Sequence, residues 1–253
     1  PSFLLWGDSH AEAMRPALDL AARRYGRSGV FAGERGCPPL VDVDRLDWTD
    51  CRSVNTAILD LINRESQIRT VIIAARWGMW AERAPYKSEP GPAFDLKSDE
   101  IVAGEGKDNH LIFAAGLQRT VAALHAAGKE VWIVGPVPEV GFNVPRYFFL
   151  QSIGIGQNLD IRSSVEEFEL RQKFALDTLT DVSKLYDAKM IVLHSALCDP
   201  QHCRIQQDGK ALYFDDDHLS RFGAETLNGL FDPVFAGPAT DLRLNQPVST
   251  LSQ

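Results

Sequence analysis

The stretch Phe3-Leu4-Leu5-Trp6-Gly7-Asp8-Ser9-His10-Ala11-Glu12-Ala13-Met14 decides how the rest of the chain is read. Phe3 to Trp6 is a short unbroken apolar run, the pattern of a strand covered on both faces. From His10 to Tyr25 the apolar positions Ala11, Met14, Leu18, Ala22 and Tyr25 recur at helical spacing. Gly7-Asp8-Ser9-His10 is then the turn from strand to helix. A serine at that corner is exposed at the top of a sheet, and its N–H belongs to the unsatisfied first turn of the helix. A helix N-terminus favours developing negative charge, which suits a nucleophile whose reaction passes through an oxyanion. The plainer reading makes Ser9 an N-cap and Gly7 a turn residue. The tetrapeptide alone does not separate the two.

Val30–Ala32, Val71–Ala75, Val131–Val134 and Met190–Leu193 repeat the short apolar pattern of strands. Helical periodicity fills 50–68, 110–127 and 163–186. Ser163 with Glu166 reads as a capping box for the last of these, and Ser220 as the cap of a final helix that Pro233 ends. Long helices between buried strands require parallel pairing with right-handed crossovers. The expected fold is α/β: a three-layer α/β/α domain around a flavodoxin-like, doubly wound parallel sheet of about five strands. Sites in such sheets form beyond the carboxyl ends of the strands, here after Trp6, Ala32, Ala75, Val134 and Leu193. We expect one domain over 1–236, with insertions near 81–109 and 139–160, and a tail over 237–253.

Composition narrows the function. The 253 residues are 45% hydrophobic and 24% charged, an ordinary globular mixture. Acidic residues outnumber basic ones 34 to 26 and no long basic run occurs, which argues against a nucleic-acid footprint. The apolar runs, such as Val71–Ala75, fall far short of the ~20 residues that a spanning helix needs. No signal-peptide pattern precedes the first strand, and the chain reads as a fragment of something longer. Gly154-Ile155-Gly156 lacks the third glycine and the strand context of a dinucleotide site.

A second motif, Asp215-Asp216-Asp217-His218-Leu219-Ser220, precedes the last helix. A serine nucleophile needs a base within hydrogen-bond reach, and the base needs an orienting acceptor. Asp215 and His218, three residues apart on a turn, can point to one side, Asp215 holding one ring nitrogen while the other faces Ser9. Asp216 and Asp217 are expected to face solvent or the helix dipole. A triple-Asp metal site and a solvated capping turn are the alternatives.

Gly-Asp-Ser at the first strand's end with Asp-x-x-His near the carboxyl terminus resembles the SGNH (GDSL-like) hydrolase superfamily. The resemblance implies Ser9, His218 and Asp215 as nucleophile, base and orienting acid. It also implies an oxyanion hole made from the Ser9 N–H, a glycine after the second strand and an asparagine after the third. Gly33 and Gly36 are the glycine candidates. No asparagine follows the third strand, where the chain reads Arg76-Trp77-Gly78-Met79-Trp80. Arg76 is expected either to replace that donor or to hold a substrate carboxylate or a structural acid such as Asp8.

Gly-Asp-Ser-His, Gly-Cys-Pro-Pro-Leu, Ala-Arg-Trp, Gly-Pro-Val-Pro-Glu and Asp-Asp-Asp-His-Leu-Ser together resemble a narrower group. It is the SGNH domain fused to the carboxyl end of acyltransferase-3 membrane proteins, bacterial O-acetyltransferases of surface glycans such as the O-antigen of lipopolysaccharide. The resemblance implies a periplasmic domain of a larger membrane protein, with the membrane acyltransferase domain and a glycan acceptor as partners. Cys37 with Cys51 and Cys198 with Cys203 form two local pairs that suit disulfides in an oxidising compartment. A zinc set of His194, Cys198, His202 and Cys203, or four reduced thiols, are the alternatives.

The resulting expectation is periplasmic serine-dependent O-acetyl transfer through an acyl-enzyme, with no cofactor, no metal and no nucleic acid. Trp77 and Tyr147 are candidates for aromatic contact with a sugar. A free-standing carbohydrate O-acetylesterase and a non-catalytic glycan-binding domain are the competing functions.

Overall fold

The structure is a computed structural model that describes residues 1–47, 50–99 and 109–236. Five parallel strands form its centre: β1 (Phe3–Gly7), β2 (Gly29–Ala32), β3 (Thr70–Ala74), β4 (Glu130–Val134) and β5 (Lys189–Ile191). Their order across the sheet is β2-β1-β3-β4-β5. Register places Leu4 opposite Val30 and Val71, Val71 opposite Val131, and Ile133 opposite Met190. The expected doubly wound α/β sheet is therefore present.

Strand alternation sorts the core into two layers. Phe3, Leu5, Ile72, Trp132 and Val134 meet Met14 and Leu18 of α1 (Ser9–Arg24) and the carboxyl-terminal Ala224, Phe231 and Phe235. Leu4, Trp6, Val71, Ile73, Val131 and Ile133 face the other way. They meet Ile58 and Ile62 of α2 (Cys51–Arg64), Trp77 and Trp80 of α3 (Trp77–Glu82), Phe113 and Leu117 of α4 (Asn109–Ala126), and Leu179.

Several local readings shift. The segment 139–160 contains a helix, α5 (Val144–Ser152), which Asn143 caps by accepting from Arg146 N; a proline sits in its first turn, where one is tolerated. The capping box lies one residue later than expected, at Ser164 and Glu167, and opens α6 (Val165–Leu185), which also carries Leu179. Ser163 is instead buried and donates to the Glu139 carbonyl at 2.7 Å. Ser220 caps a short α7 (Arg221–Thr226). Pro233 does not end the final helix; it sits in the first turn of the last one (Asp232–Phe235). Part of the 81–109 insertion and the whole 237–253 tail lie outside the described residues. Among those that are described, Leu96–Lys97 pairs with Asp44–Arg45.

Cys37 is bonded to Cys51 and Cys198 to Cys203. The zinc set therefore does not form, because the two sulfurs it needs are joined to each other. No helix among the described residues is long and apolar enough to cross a membrane.

Gly7 is where the strands crowd. A Cβ there would lie 1.8 Å from the Ala74 carbonyl oxygen and 2.7 Å from Ala11 Cβ. Backbone cannot give way as a side chain can, so Gly7→Ala should destabilise by about 3 kcal/mol, the upper end of overpacking costs. Urea unfolding of the variant measures it.

Candidate active site

Asp8 leaves β1 fully buried, at 1% exposure. One carboxylate oxygen accepts from His10 N at 2.8 Å and caps α1; the other accepts from Arg76 N at 3.0 Å and Trp80 Nε1 at 2.8 Å. Asp8 is thus the N-cap, and Ser9 is the first residue of the helix rather than its cap. The Ser9 hydroxyl is left to meet another partner.

That partner comes from the loop between Tyr213 and Leu219, which face each other across an isolated bridge. Phe214 N donates to the His218 carbonyl at 2.9 Å, closing the loop. Within it, Asp215 Oδ1 accepts from Asp217 N at 3.1 Å and His218 N at 2.8 Å, an Asx turn. Asp215 Oδ2 lies 2.9 Å from His218 Nδ1, and His218 Nε2 lies 2.7 Å from Ser9 Oγ. In the neutral tautomer that this network fits, Nδ1–H donates to Asp215 and Nε2 accepts from the serine.

Asp217 departs from expectation. It is buried at 2% exposure, not solvent-facing. Its Oδ1 lies 2.6 Å from His218 Nδ1 and its Oδ2 lies 2.5 Å from Arg76 Nη1. His10, also buried, packs its ring 4.5 Å from that of His218 and has Nε2 3.7 Å from Asp217 Oδ2. Burial disfavours an imidazolium, but the hydrogen bonds and charges of Asp215 and Asp217 outweigh it and push the His218 pKa up to about 10. Asp216, half-buried beside Asp217 and Glu89, is raised to about 6, mainly by loss of water.

Arg76 does not serve as a free oxyanion donor. Its Nε donates to Glu139 Oε1 at 2.7 Å and its Nη1 to Glu89 Oε1 at 2.7 Å, besides the Asp217 pair. Although burial opposes it, these carboxylates hold the guanidinium charged. Of the expected roles, only pairing with structural acids matches, and Asp8 receives the backbone N–H rather than the guanidinium. Glu139 also accepts from Arg171 Nε at 2.8 Å and Gln172 Nε2 at 3.0 Å. Val140 N and Val144 N donate to the carbonyls of Asp216 and Asp215, both at 2.9 Å. The start of the segment 139–160 is therefore fastened to the loop that carries His218.

The remaining candidates divide. Gly33 lies against Gly7, so close that a Cβ on it would meet the Gly7 carbonyl oxygen at 1.9 Å. Gly36 is tied elsewhere, its carbonyl accepting from Arg45 at 3.1 Å. Trp77 is fully buried and donates to the Val134 carbonyl at 2.7 Å, which puts it in the core and not at a sugar-binding surface. Tyr147 donates to the Leu159 carbonyl at 2.9 Å. With Phe148, Gln151, Arg162, Arg204 and Ile205 it lines an open groove of about 710 Å³ that neither Ser9 nor His218 borders. The groups of ligand-type side chains near His218 all share Asp217, whose oxygens already face Arg76 and His218. This set suits proton transfer better than metal binding.

The family model described as "SGNH domain (fused to AT3 domains)" matches residues 1–233. No curated protein matches the chain. Among solved structures, the periplasmic domain of a lipopolysaccharide acetyltransferase from Salmonella ser. Paratyphi A is similar at 16% identity and TM-score 0.64, covering 93% of this chain and 84% of that one. The aryl esterase of M. smegmatis is similar at 12% identity and TM-score 0.53, covering 92% and 97%. An acetyl xylan esterase, AlAXEase, is similar at 12% identity and TM-score 0.50, covering 91% and 98%. At these identities the likeness is one of fold.

Removing the Asp8 carboxylate leaves three buried N–H groups without their acceptor. Asp8→Ala should cost at least ~3 kcal/mol in urea unfolding. A loss below ~1 kcal/mol contradicts this account of the corner.

Proposed function

The chain belongs to the SGNH domains that are fused to AT3 domains, and from that premise we propose that it transfers O-acetyl groups to a bacterial cell-surface glycan, the O-antigen of lipopolysaccharide. The observation that carries the reading is the 2.7 Å contact between Ser9 Oγ and His218 Nε2, with a carboxylate on the opposite ring nitrogen. Ser9 Oγ attacks the acyl carbonyl while its proton passes to His218 Nε2. The Ser9 N–H, at the positive end of α1, and the Gly33 N–H receive the oxyanion. Collapse expels the donor's alcohol, which takes the proton from His218, and leaves acetyl-Ser9. A glycan hydroxyl then gives its proton to His218 and attacks the ester, and Ser9 regains the proton on release.

Partner and compartment follow from the same premise. An AT3 domain in the same full-length protein supplies the acetyl group, and this domain works on the periplasmic face of the inner membrane. Two disulfides suit that oxidising compartment. The Tyr147 groove, with aromatic faces and polar side chains, is a surface on which a sugar chain can lie. Water in place of the glycan hydroxyl makes the same site an O-acetylesterase, the reading favoured by the fold likeness to esterases.

With p-nitrophenyl acetate as donor, Ser9→Ala should lower kcat by at least ~10⁴-fold, the scale of losing an acyl-enzyme nucleophile. Retained activity in that variant removes Ser9 from the mechanism. Acetylation of free O-antigen offered as acceptor reports transfer, and deacetylation of acetylated O-antigen offered as substrate reports hydrolysis. Only neutral His218 can accept the serine proton, and its pKa is raised to about 10. Wild-type kcat/KM should therefore climb with pH across the neutral range and level off near 10; a plateau reached below pH 7 contradicts the raised value.

A further inference from the structure

Two carboxylates face the same nitrogen of His218, and they are anchored differently. Asp215 is partly open to solvent, and its other oxygen is bound to backbone N–H groups of its own loop. Its side chain fixes His218 relative to that loop alone. Asp217 is closed off from solvent, and its second oxygen is held by Arg76. Arg76 lies two residues beyond the end of β3, and its backbone N–H is bound to Asp8, the residue next to Ser9. The path Asp8–Arg76–Asp217–His218 thus ties the imidazole to the strand ends that carry the serine.

We propose that Asp217 is a positioning residue for His218: clamped by Arg76, it holds Nδ1 together with Asp215 and sets the imidazole's place relative to Ser9. This rests on the reading of Ser9 and His218 given above. The sharing has an electrostatic consequence as well. The charged and titratable groups around His218 are His10 and Glu12 from α1, Arg76 beyond β3, Glu89 from the segment after α3, Glu139 beyond β4, and Asp215 and Asp216 from its own loop. Arg76 answers three carboxylates at once, Glu89, Glu139 and Asp217, so its charge does not cancel Asp217 as seen from the imidazole. An imidazolium formed as Ser9 loses its proton is met by two anions on one nitrogen.

A merely structural Asp217 would lower the melting temperature and leave the pH profile in place. The experiment therefore compares Asp217→Asn, Asp215→Asn and the double variant, each checked for folding by thermal melting. Two readouts are used: the pH dependence of kcat/KM on p-nitrophenyl acetate, and the pH titration of the His218 ring nitrogens followed by ¹⁵N NMR. In Asp217→Asn, the acidic limb and the NMR midpoint should both fall by at least about one pH unit, the scale of losing one adjacent opposite charge. An unmoved midpoint overturns the proposal. Asp215→Asn should lose ~10²-fold or less, because Asp217 still holds Nδ1, against the ~10⁴-fold typical where one acid acts alone. The double variant should lose that full ~10⁴-fold. A loss of the full ~10⁴-fold in Asp215→Asn alone overturns the sharing, and this arm, which leaves Asp217 intact, decides if Asp217→Asn does not fold. Full activity in Ser9→Ala sinks the acyl-transfer reading instead, while the NMR midpoint still judges Asp217.

Discussion

Three N–H groups converge on the buried carboxylate of Asp8, and the geometry of the site follows from that convergence. A carboxylate out of water is tolerated only when its lone pairs are occupied. Asp8 meets the demand by capping α1 and holding the corner after β3 at the same time. The cap is thereby filled by Asp8, and Ser9 is released from the task that serines most often perform at a helix start. Gly7 allows this, because only a residue without Cβ fits between Ala74 and Ala11.

The second buried centre is the guanidinium of Arg76. It gathers Glu89, Glu139 and Asp217, which come from three stretches distant in sequence. Backbone bonds from Val140 and Val144 to the Asp216 and Asp215 carbonyls run beside it. The segment 139–160 therefore helps to fix the loop carrying the candidate base. Removing one member of such a cluster costs more than its pairwise contacts suggest, since each partner is left with uncompensated charge.

The sheet was legible because β1, β3 and β4 are apolar runs buried on both faces, separated by segments long enough for crossover helices. The meeting of Ser9, Asp215 and His218 was legible because each lies in a short motif at an edge where the fold gathers side chains from distant segments. Asp217 was not. Three consecutive aspartates look alike in sequence, and what distinguishes the third is a guanidinium 141 positions earlier that only the folded chain brings to 2.5 Å. Arg76 misled for the matching reason: it stands where a donor to the oxyanion was wanted, but its valences are taken by acids that the local sequence does not show. Trp77 misled because a tryptophan beyond a strand's end suits a cleft as well as a core, and here the Val134 carbonyl draws its indole inward.

In the proposed reaction Ser9 is a nucleophile made reactive by His218. The most direct measurement is the intact mass of the folded chain after treatment with a serine-directed phosphonate, with the adduct located by peptide mapping. A single covalent adduct is expected on the peptide containing Ser9, absent when His218 is replaced by alanine. A folded wild-type chain that stays unmodified, or an adduct on another serine, contradicts it.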